Sequence, residues 1–304
     1  MDRKQLKALI AVAEHSSFSS AARALGTVQS NVSAHVARLE RDMGVTLIDR
    51  ATNKPTDEGQ VVLQRARRIE AEFDALDSDI SELRDVISGS VHLGVIGTTA
   101  LWLVPPLLRA LKAEHPEVSV VVLDATTTSM VVNLLTGTVD MAVINLPIDE
   151  PELSVEALFD EDRVLIVPEG HELFDRSSVT LAELADHELL LEAKGTSFRD
   201  ELDRAAEERG TRLRTQAEFD GMRLLASLVY SGYGAGIVPA TAAATDGEGR
   251  WRSIPIHEVP GRTVGLAMRR RGIPSAAQRV VSTTVKRVIT ENANGVAGMH
   301  LRSR

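Results

Sequence analysis

The chain of 304 residues is 43% hydrophobic, 25% charged and only 3% aromatic, the composition of an ordinary folded protein with room for two or more compact units, which excludes low-complexity and fibrous classes. Its net charge of −9 is uneven: residues 1–70 hold 11 Lys or Arg against 8 Asp or Glu, and the remainder 23 against 35, so phosphate contact is expected of a mildly basic head and not of the acidic body. The absence of cysteine excludes disulfides, thiolate metal sites and thiol redox sensing.

No apolar run approaches the roughly 20 residues of a membrane span. The N-terminal "MDRKQLKALIAVAEHSSF" spaces its apolar residues like an amphipathic helix and is followed by no small-residue cleavage site, which argues for a cytoplasmic protein. Leu6, Leu9, Ile10 and Ala13 recur at helical spacing, and the serines of "HSSFSS" suit a turn and an N-cap, so a first helix should end near His15. Ala21, Ala22 and Leu25 mark a short second helix stopped by Gly26, and Val32, Val36 and Leu39 mark a third. Two short helices joined by a tight turn containing glycine make a helix-turn-helix.

"DMGVTLIDRATNKPTDEG" then reads as a small hairpin. From Gln60 to Ser88 there is neither Gly nor Pro, and Val62, Ala66, Ile69, Phe73, Leu76, Ile80, Leu83 and Ile87 alternate in steps of four and three. That spacing predicts either a two-helix dimer seam or a helix lying on its own domain; the charged residues filling most other positions leave a narrow stripe and favour the seam.

From Ser90 the pattern becomes strand and helix in alternation: "VHLGVI", "LVPPLLRALKAEH", "VSVVVL", "SMVVNLLTG", "VDMAVI", "DRVLIVP", "HELLLEA", "FRDELDRAAEERG", "GMRLLASLVYSG", "GAGIVP" and "TVGLAMR". Alternation of this kind predicts parallel sheets covered by helices, with chain enough for two. Open parallel sheets bind ligands beyond the carboxyl ends of their strands, beside helix N-termini. Thr98 and Thr99, Thr126 and Thr128, and Thr196 occupy such places, either as ordinary caps or as the holders of a small carboxylate.

No cofactor site is read. "GYGAG" at residues 232–236 lies between a helix and a strand, the reverse of the dinucleotide-binding order, and reads as a turn. "RRRG" at residues 269–272 reads as a solvated strand end. The eight histidines never take metal-ligand spacing, neither G-x-S-x-G nor H-E-x-x-H occurs, and no catalytic residue is assigned, so an enzyme is not expected. The body alone would suit a solute-binding protein, a class that calls for a secretion signal.

"SFSSAARALGTVQSNVSAHVARLERDMGVTLIDR" strongly resembles the winged helix-turn-helix of LysR-type transcriptional regulators, and "LGVIGTTALWLVPPLLRAL", "HPEVSVVVLDA", "LLTGTVDMAVI" and "LVYSGYGAGIVPA" are similar to that family's effector domain. The resemblance implies an N-terminal all-α winged helix-turn-helix over residues 1–58, a dimerisation helix over 59–89, and an α/β effector domain over 90–292. That domain would consist of two Rossmann-like subdomains of the type 2 periplasmic-binding-protein kind, the first about 90–161 and 266–292, the second about 162–265, with a tail over 293–304.

The implied partners are partly palindromic double-stranded DNA, a small and anionic effector, further copies of the chain as a dimer or a tetramer, and RNA polymerase should it activate. A recognition helix in the major groove would bring Gln29, Ser30, Asn31, Ser33, His35 and Arg38 to bases or phosphates. Arg50 and Lys54 are candidates for backbone or minor-groove contact from the wing. The sequence departs from the family in carrying Thr27-Val28 where Val-Ser is usual, which shifts the helix cap; in Ala34, where a basic residue is common; and in a wing about two residues short. The implied inducer pocket favours the ligand-binding reading of Thr98, Thr99, Thr126, Thr128 and Thr196. It puts Phe219 and Met222 at the pocket wall, a position that core packing would explain equally well.

Overall fold

The computed structural model describes residues 1–84, 86–243, 250–257, 259–293 and 296–302. The head is built from α1 (Arg3–His15), α2 (Phe18–Ala24) and α3 (Gln29–Met43). Asp2 and Gln5 form a reciprocal cap on α1, and Ser17 caps α2. Leu6, Leu9, Val12, Ala21, Val32, Val36 and Leu39 make one core, each less than 5% exposed. Gly26 turns the chain between α2 and α3 in the left-handed region. The expected hairpin is reduced to a single bridge between Ile48 and Pro55.

Helix α4 (Asp57–Glu82) starts at the Thr56 cap and stops six residues short of the expected Ser88. The chain must leave the helix to enter β1 (Gly89–Val95), and Gly89 passes so close to Ala277 and Ser78 that a Cβ there would lie 3.3 and 3.4 Å from their side chains. Ile87 therefore lies outside the helix. The apolar stripe also divides. Ala66 and Leu63 are buried in the head core with Val62 packed against it, whereas Ile69, Phe73, Leu76, Ile80 and Leu83 stay 37–82% exposed.

The body contains two six-stranded sheets, each covered by helices. In chain order, the first lobe receives β1, α5 (Gly97–Glu114), β2 (Val118–Asp124), α6 (Thr127–Thr136), β3 (Met141–Leu146) and β4 (Leu153–Glu161). The second is β5 (Arg163–Pro168), β6 (Val179–Thr180), α7 (Leu181–Leu184), β7 (Glu188–Glu192), α8 (Ser197–Glu207), β8 (Arg214–Phe219), α9 (Met222–Tyr230), β9 (Ala235–Pro239), a 3-10 turn at Ala240–Ala242 and β10 (Trp251–His257). The chain then returns to the first lobe with β11 (Arg262–Arg269), α10 (Ala276–Asn292) and β12 (Met299–Leu301). The strand orders are β12-β4-β11-β3-β1-β2 and β6-β10-β5-β9-β7-β8.

The sheets are mixed, not parallel. β1 runs parallel to β2 and β3, and β7 to β8 and β9, as the alternation predicts. β11 is antiparallel to β3 and β4, and β5 to β9 and β10, because these strands carry the chain across from the other lobe. Part of the expected tail, Met299–Leu301, pairs with β4 instead of hanging free. Separate hydrophobic cores fill the two lobes, one around Leu93, Met141 and Phe159, the other around Leu165, Leu190 and Ile237.

Helix α4 rests on the first lobe through polar contacts. Gln64 and Arg68 donate to the Leu135 carbonyl at 3.1 and 2.7 Å, and Ser78 and Asp79 accept from the Ala277 and Ala276 amides at 3.1 and 2.9 Å. The polar flank of the helix thus lies on its own body, while its apolar stripe faces outward.

Candidate nucleic-acid interface and interlobe cleft

Helix α3 buries Val32, Val36 and Leu39 completely and turns its first residues outward. Gln29, Ser30, Asn31 and Arg38 are exposed, and Ser33 and His35 are half-buried beside them. The N-cap is Val28, which offers no side-chain hydrogen bond to the first-turn amides. Thr27 takes another role: its hydroxyl accepts from Asn31 Nδ2 at 3.0 Å. Ser19 Oγ donates to Gln29 Oε1 at 2.8 Å. Both amides are steadied without being used up, since an amide oxygen keeps a second lone pair and an amide nitrogen a second proton for a base edge.

Arg50 is committed elsewhere. Its guanidinium donates to Glu40 Oε2 at 2.8 Å and lies 4.8 Å from the Phe18 ring centroid, while Glu40 Oε1 accepts from the Leu47 and Ile48 amides at 2.9 and 3.2 Å. Arg50 thus ties the strand that follows α3 back onto that helix, which leaves the exposed Lys54 as the cation at the hairpin turn. "RRRG" is occupied as well: Arg269 and Arg270 donate to carbonyls of the first lobe.

In the body, Thr98 and Thr99 open α5, and both are buried. Thr98 Oγ1 accepts from Arg262 Nη2 at 2.8 Å, a bond that fixes the hydroxyl and leaves its own proton for another acceptor. Arg262 in turn pairs with Glu161, which is fully buried and accepts from the Thr241 amide at 3.1 Å. These residues lie at the ends of β4 and β11, where the chain passes between lobes. Arg163, at the start of β5, has a fully buried side chain that donates to the Pro260 carbonyl at 2.6 Å, pairs with Glu201 and lies over Phe198.

Thr196 caps α8 and donates to Glu192 at 3.0 Å; burial holds the Glu192 carboxyl above its ordinary value despite that bond and the nearby Arg262. Thr126 caps α6, and Thr128 is exposed on its first turn. Thr99 Oγ1 and Asn145 Oδ1 are buried without a partner. Met222 is buried in the second core, and Phe219 packs against that core partly buried. Asp124 at the end of β2 pairs with Arg223 on α9 across the mouth of the cleft, directly over Gly97, where a Cβ would lie 3.0 Å from Asp124 Oδ1. The structure thus brings Thr98 and Thr196 toward one another through Arg262 and Glu192, and makes charged residues that the sequence reading passed over the main occupants of the cleft. The charges of "DEDRVLIVP", set against a wholly buried strand, were the signal available for Glu161 and Arg163.

The family model for the bacterial regulatory helix-turn-helix protein, lysR family, matches residues 3–60, and that for the LysR substrate binding domain matches residues 84–289. The chain belongs to the LysR family. Its LysR relatives include a protein named probable hydrogen peroxide-inducible genes activator from Streptomyces viridosporus, 33% identical over 271 residues that make up 87% of each chain. Among solved LysR structures, full-length CbnR complexed with its target DNA is 26% identical, with a TM-score of 0.70 over 95% of this chain and 100% of that one. A full-length OxyR variant from Pseudomonas aeruginosa shares the fold at a TM-score of 0.75 and 23% identity, over 100% of this chain and 99% of that one. As a LysR regulator the protein has a DNA-binding head and an effector-binding body, and is not an enzyme. Among the described residues no helix is long and apolar enough to cross a membrane.

Proposed function

We propose that the protein is a cytoplasmic transcriptional regulator that reads a partly palindromic operator with two copies of α3. The stripe of α4 joins the copies, and a small anionic effector held between the lobes governs the reading. Residues 1–58 serve as the head, 59–89 as the linker and 90–292 as the sensor. Two such dimers assemble into a tetramer, and contact with RNA polymerase follows wherever the regulator activates. The observation that carries the reading is the division of α3, apolar on its buried face and led by Gln29, Ser30 and Asn31 on its open one. Ser33, His35, Arg38 and Lys54 add base or phosphate contacts, and Arg50 holds the hairpin in place for them.

Thr99, Thr126, Thr128 and Thr196 supply the hydroxyls around the effector, and Thr98 acts through Arg262. Several relatives are named for peroxide induction, but a chain without cysteine has no thiol to oxidise, so its signal is a reversibly bound molecule.

The test is a gel-shift on the DNA immediately upstream of the protein's own gene, with Gln29→Ala, Ser30→Ala and Ser33→Ala combined. Each lost base contact is worth about 1–3 kcal/mol of discrimination, so preference over competitor DNA should fall by at least about tenfold. Unaltered selectivity in the triple variant, or binding that does not weaken as salt rises, would overturn the reading.

A further inference from the structure

We propose that a cavity between α5 and α9, separate from the threonine-lined cleft, is a second binding site for a small aromatic carboxylate whose occupancy draws Arg223 away from Asp124. The cavity measures about 300 Å³ and is lined by Trp102, Arg223, Ser227, Tyr230 and Thr241 among others. None of Thr98, Thr99, Thr126, Thr128, Thr196 and Phe219 lines it.

Two of its lining residues carry buried polar atoms that no group among the described residues meets. Thr241 is 8% exposed with Oγ1 unpartnered, and Trp102 Nε1 is likewise buried without an acceptor. A hydroxyl and an indole N–H left unmet in an ordered interior call for a partner. Both positions are fixed independently of any ligand. The Thr241 amide donates to Glu161 at 3.1 Å, and the Trp102 ring packs edge-on against Phe159 at 5.6 Å.

The ligand class follows from the lining. Among the described residues none that lines the cavity is acidic, and its polar contributions include an indole N–H, hydroxyls and the Arg223 guanidinium, so an anion is favoured. Trp102 and Tyr230 give flat apolar walls, and Tyr230 is held by donating to the Ala242 carbonyl at 2.8 Å and by lying tilted against Trp251 with ring centroids 4.7 Å apart. Aromatic walls together with a guanidinium, an indole N–H and hydroxyls fit a planar ring bearing one carboxylate.

The consequence for the lobes runs through Arg223. Its partner Asp124 belongs to the first lobe and Arg223 itself to the second, so their ion pair spans the cleft mouth. A carboxylate in the cavity competes with Asp124 for that guanidinium. Ligand bound there and ligand bound in the cleft would then act on the same lobe equilibrium from opposite sides of one arginine.

The probe is benzoate, with benzyl alcohol as its neutral counterpart. Trp102 and Trp251 are the only tryptophans, so a Trp251→Phe protein reports the cavity through Trp102 alone. Benzoate should change the Trp102 emission saturably with a midpoint in the millimolar range or below, and benzyl alcohol should bind at least tenfold more weakly. Arg223→Gln and Ser227→Phe, the latter filling the cavity while leaving the ion pair intact, should each weaken benzoate at least tenfold. A Thr126→Ala/Thr196→Val protein should bind it as the parent does.

Absence of saturation, equal binding of benzyl alcohol, or indifference to Ser227→Phe would overturn the proposal, as would loss of binding in the cleft variant. Calorimetry on the unsubstituted protein with the same two probes decides the matter should Trp251→Phe not fold. DNA plays no part in these measurements, so their failure leaves the operator-reading test standing.

Discussion

Replacing Glu161 by glutamine keeps the shape of the side chain and removes one charge from the junction of the lobes. Glu161 is 0% and Arg262 7% exposed, so the substitution leaves a buried cation without its paired carboxylate, its guanidinium still donating to the Thr98 hydroxyl. Breaking a buried ion pair on one side costs about 3–5 kcal/mol. Set against a total stability of about 5–15 kcal/mol, that is roughly a fifth or more of what holds a domain of this kind together.

Glu161→Gln combined with Arg262→Met removes both charges while the glutamine oxygen still accepts from the Thr241 amide, so the double variant should lose only about 1 kcal/mol. Urea unfolding checks this, with Trp102 reporting the first lobe and Trp251 the second. With a slope of about 2 kcal/mol per molar, Glu161→Gln should lower the midpoint by about 1.5–2.5 M. Both probes should shift together, because the pair lies where the chain passes between the lobes. A shift below about 0.3 M, or a double variant destabilised by the sum of the two single ones, would refute the reasoning.

Further outcomes follow from the linker and the head. The His92 imidazole is held above its usual value of 6.5, chiefly by Asp140 and also by Glu14 and Asp74 of the head and linker. Its charged form therefore stabilises the protein fully below that usual value, and the contribution fades as pH rises through the higher folded value; His92→Gln should lower the melting temperature near pH 6 and match the parent by about pH 8.5 in thermal scans. Leu76 and Ile80 are 56% and 45% exposed on the α4 stripe, and Leu76→Glu with Ile80→Glu should turn a dimer into a monomer in sedimentation velocity without altering the helical signal. A Cβ on Gly59 would lie 2.0 Å from the Leu47 carbonyl oxygen, so Gly59→Ala should destabilise the head by about 1–3 kcal/mol or more in circular-dichroism melts and weaken operator binding with it.

The head was legible because its signals are local. Caps at Asp2 and Ser17, the Gly26 turn and the spacing of Val32, Val36 and Leu39 are each set within a few residues. The body was legible as alternating elements but not in its strand directions. β11 reads as one more strand, and nothing within "TVGLAMR" reports that it has returned from another lobe to run antiparallel to β3. β4, with Glu156, Asp160 and Glu161 among its residues, and β10, with Arg252 and Pro255, show no clean alternation and were passed over.

The end of α4 was equally hidden. No breaker precedes Gly89, and what stops the helix is the approach of α10 from nearly two hundred residues away. The cleft shows the same limit. Nothing in "IGTTA" reports that Arg262, 164 residues on, donates to the Thr98 hydroxyl.

Helix α4 is gripped near both ends, by the head core around Leu63 and Ala66 and by the start of α10 at Ser78 and Asp79. Twenty-six residues at ~1.5 Å each make a rod of about 39 Å with no joint between the grips. Should the first lobe tilt by about 10°, the far end of such a rod sweeps about 7 Å, the length of roughly two steps along a DNA strand. A change too small to disturb either lobe's interior is thereby magnified into a misfit of register on the double helix.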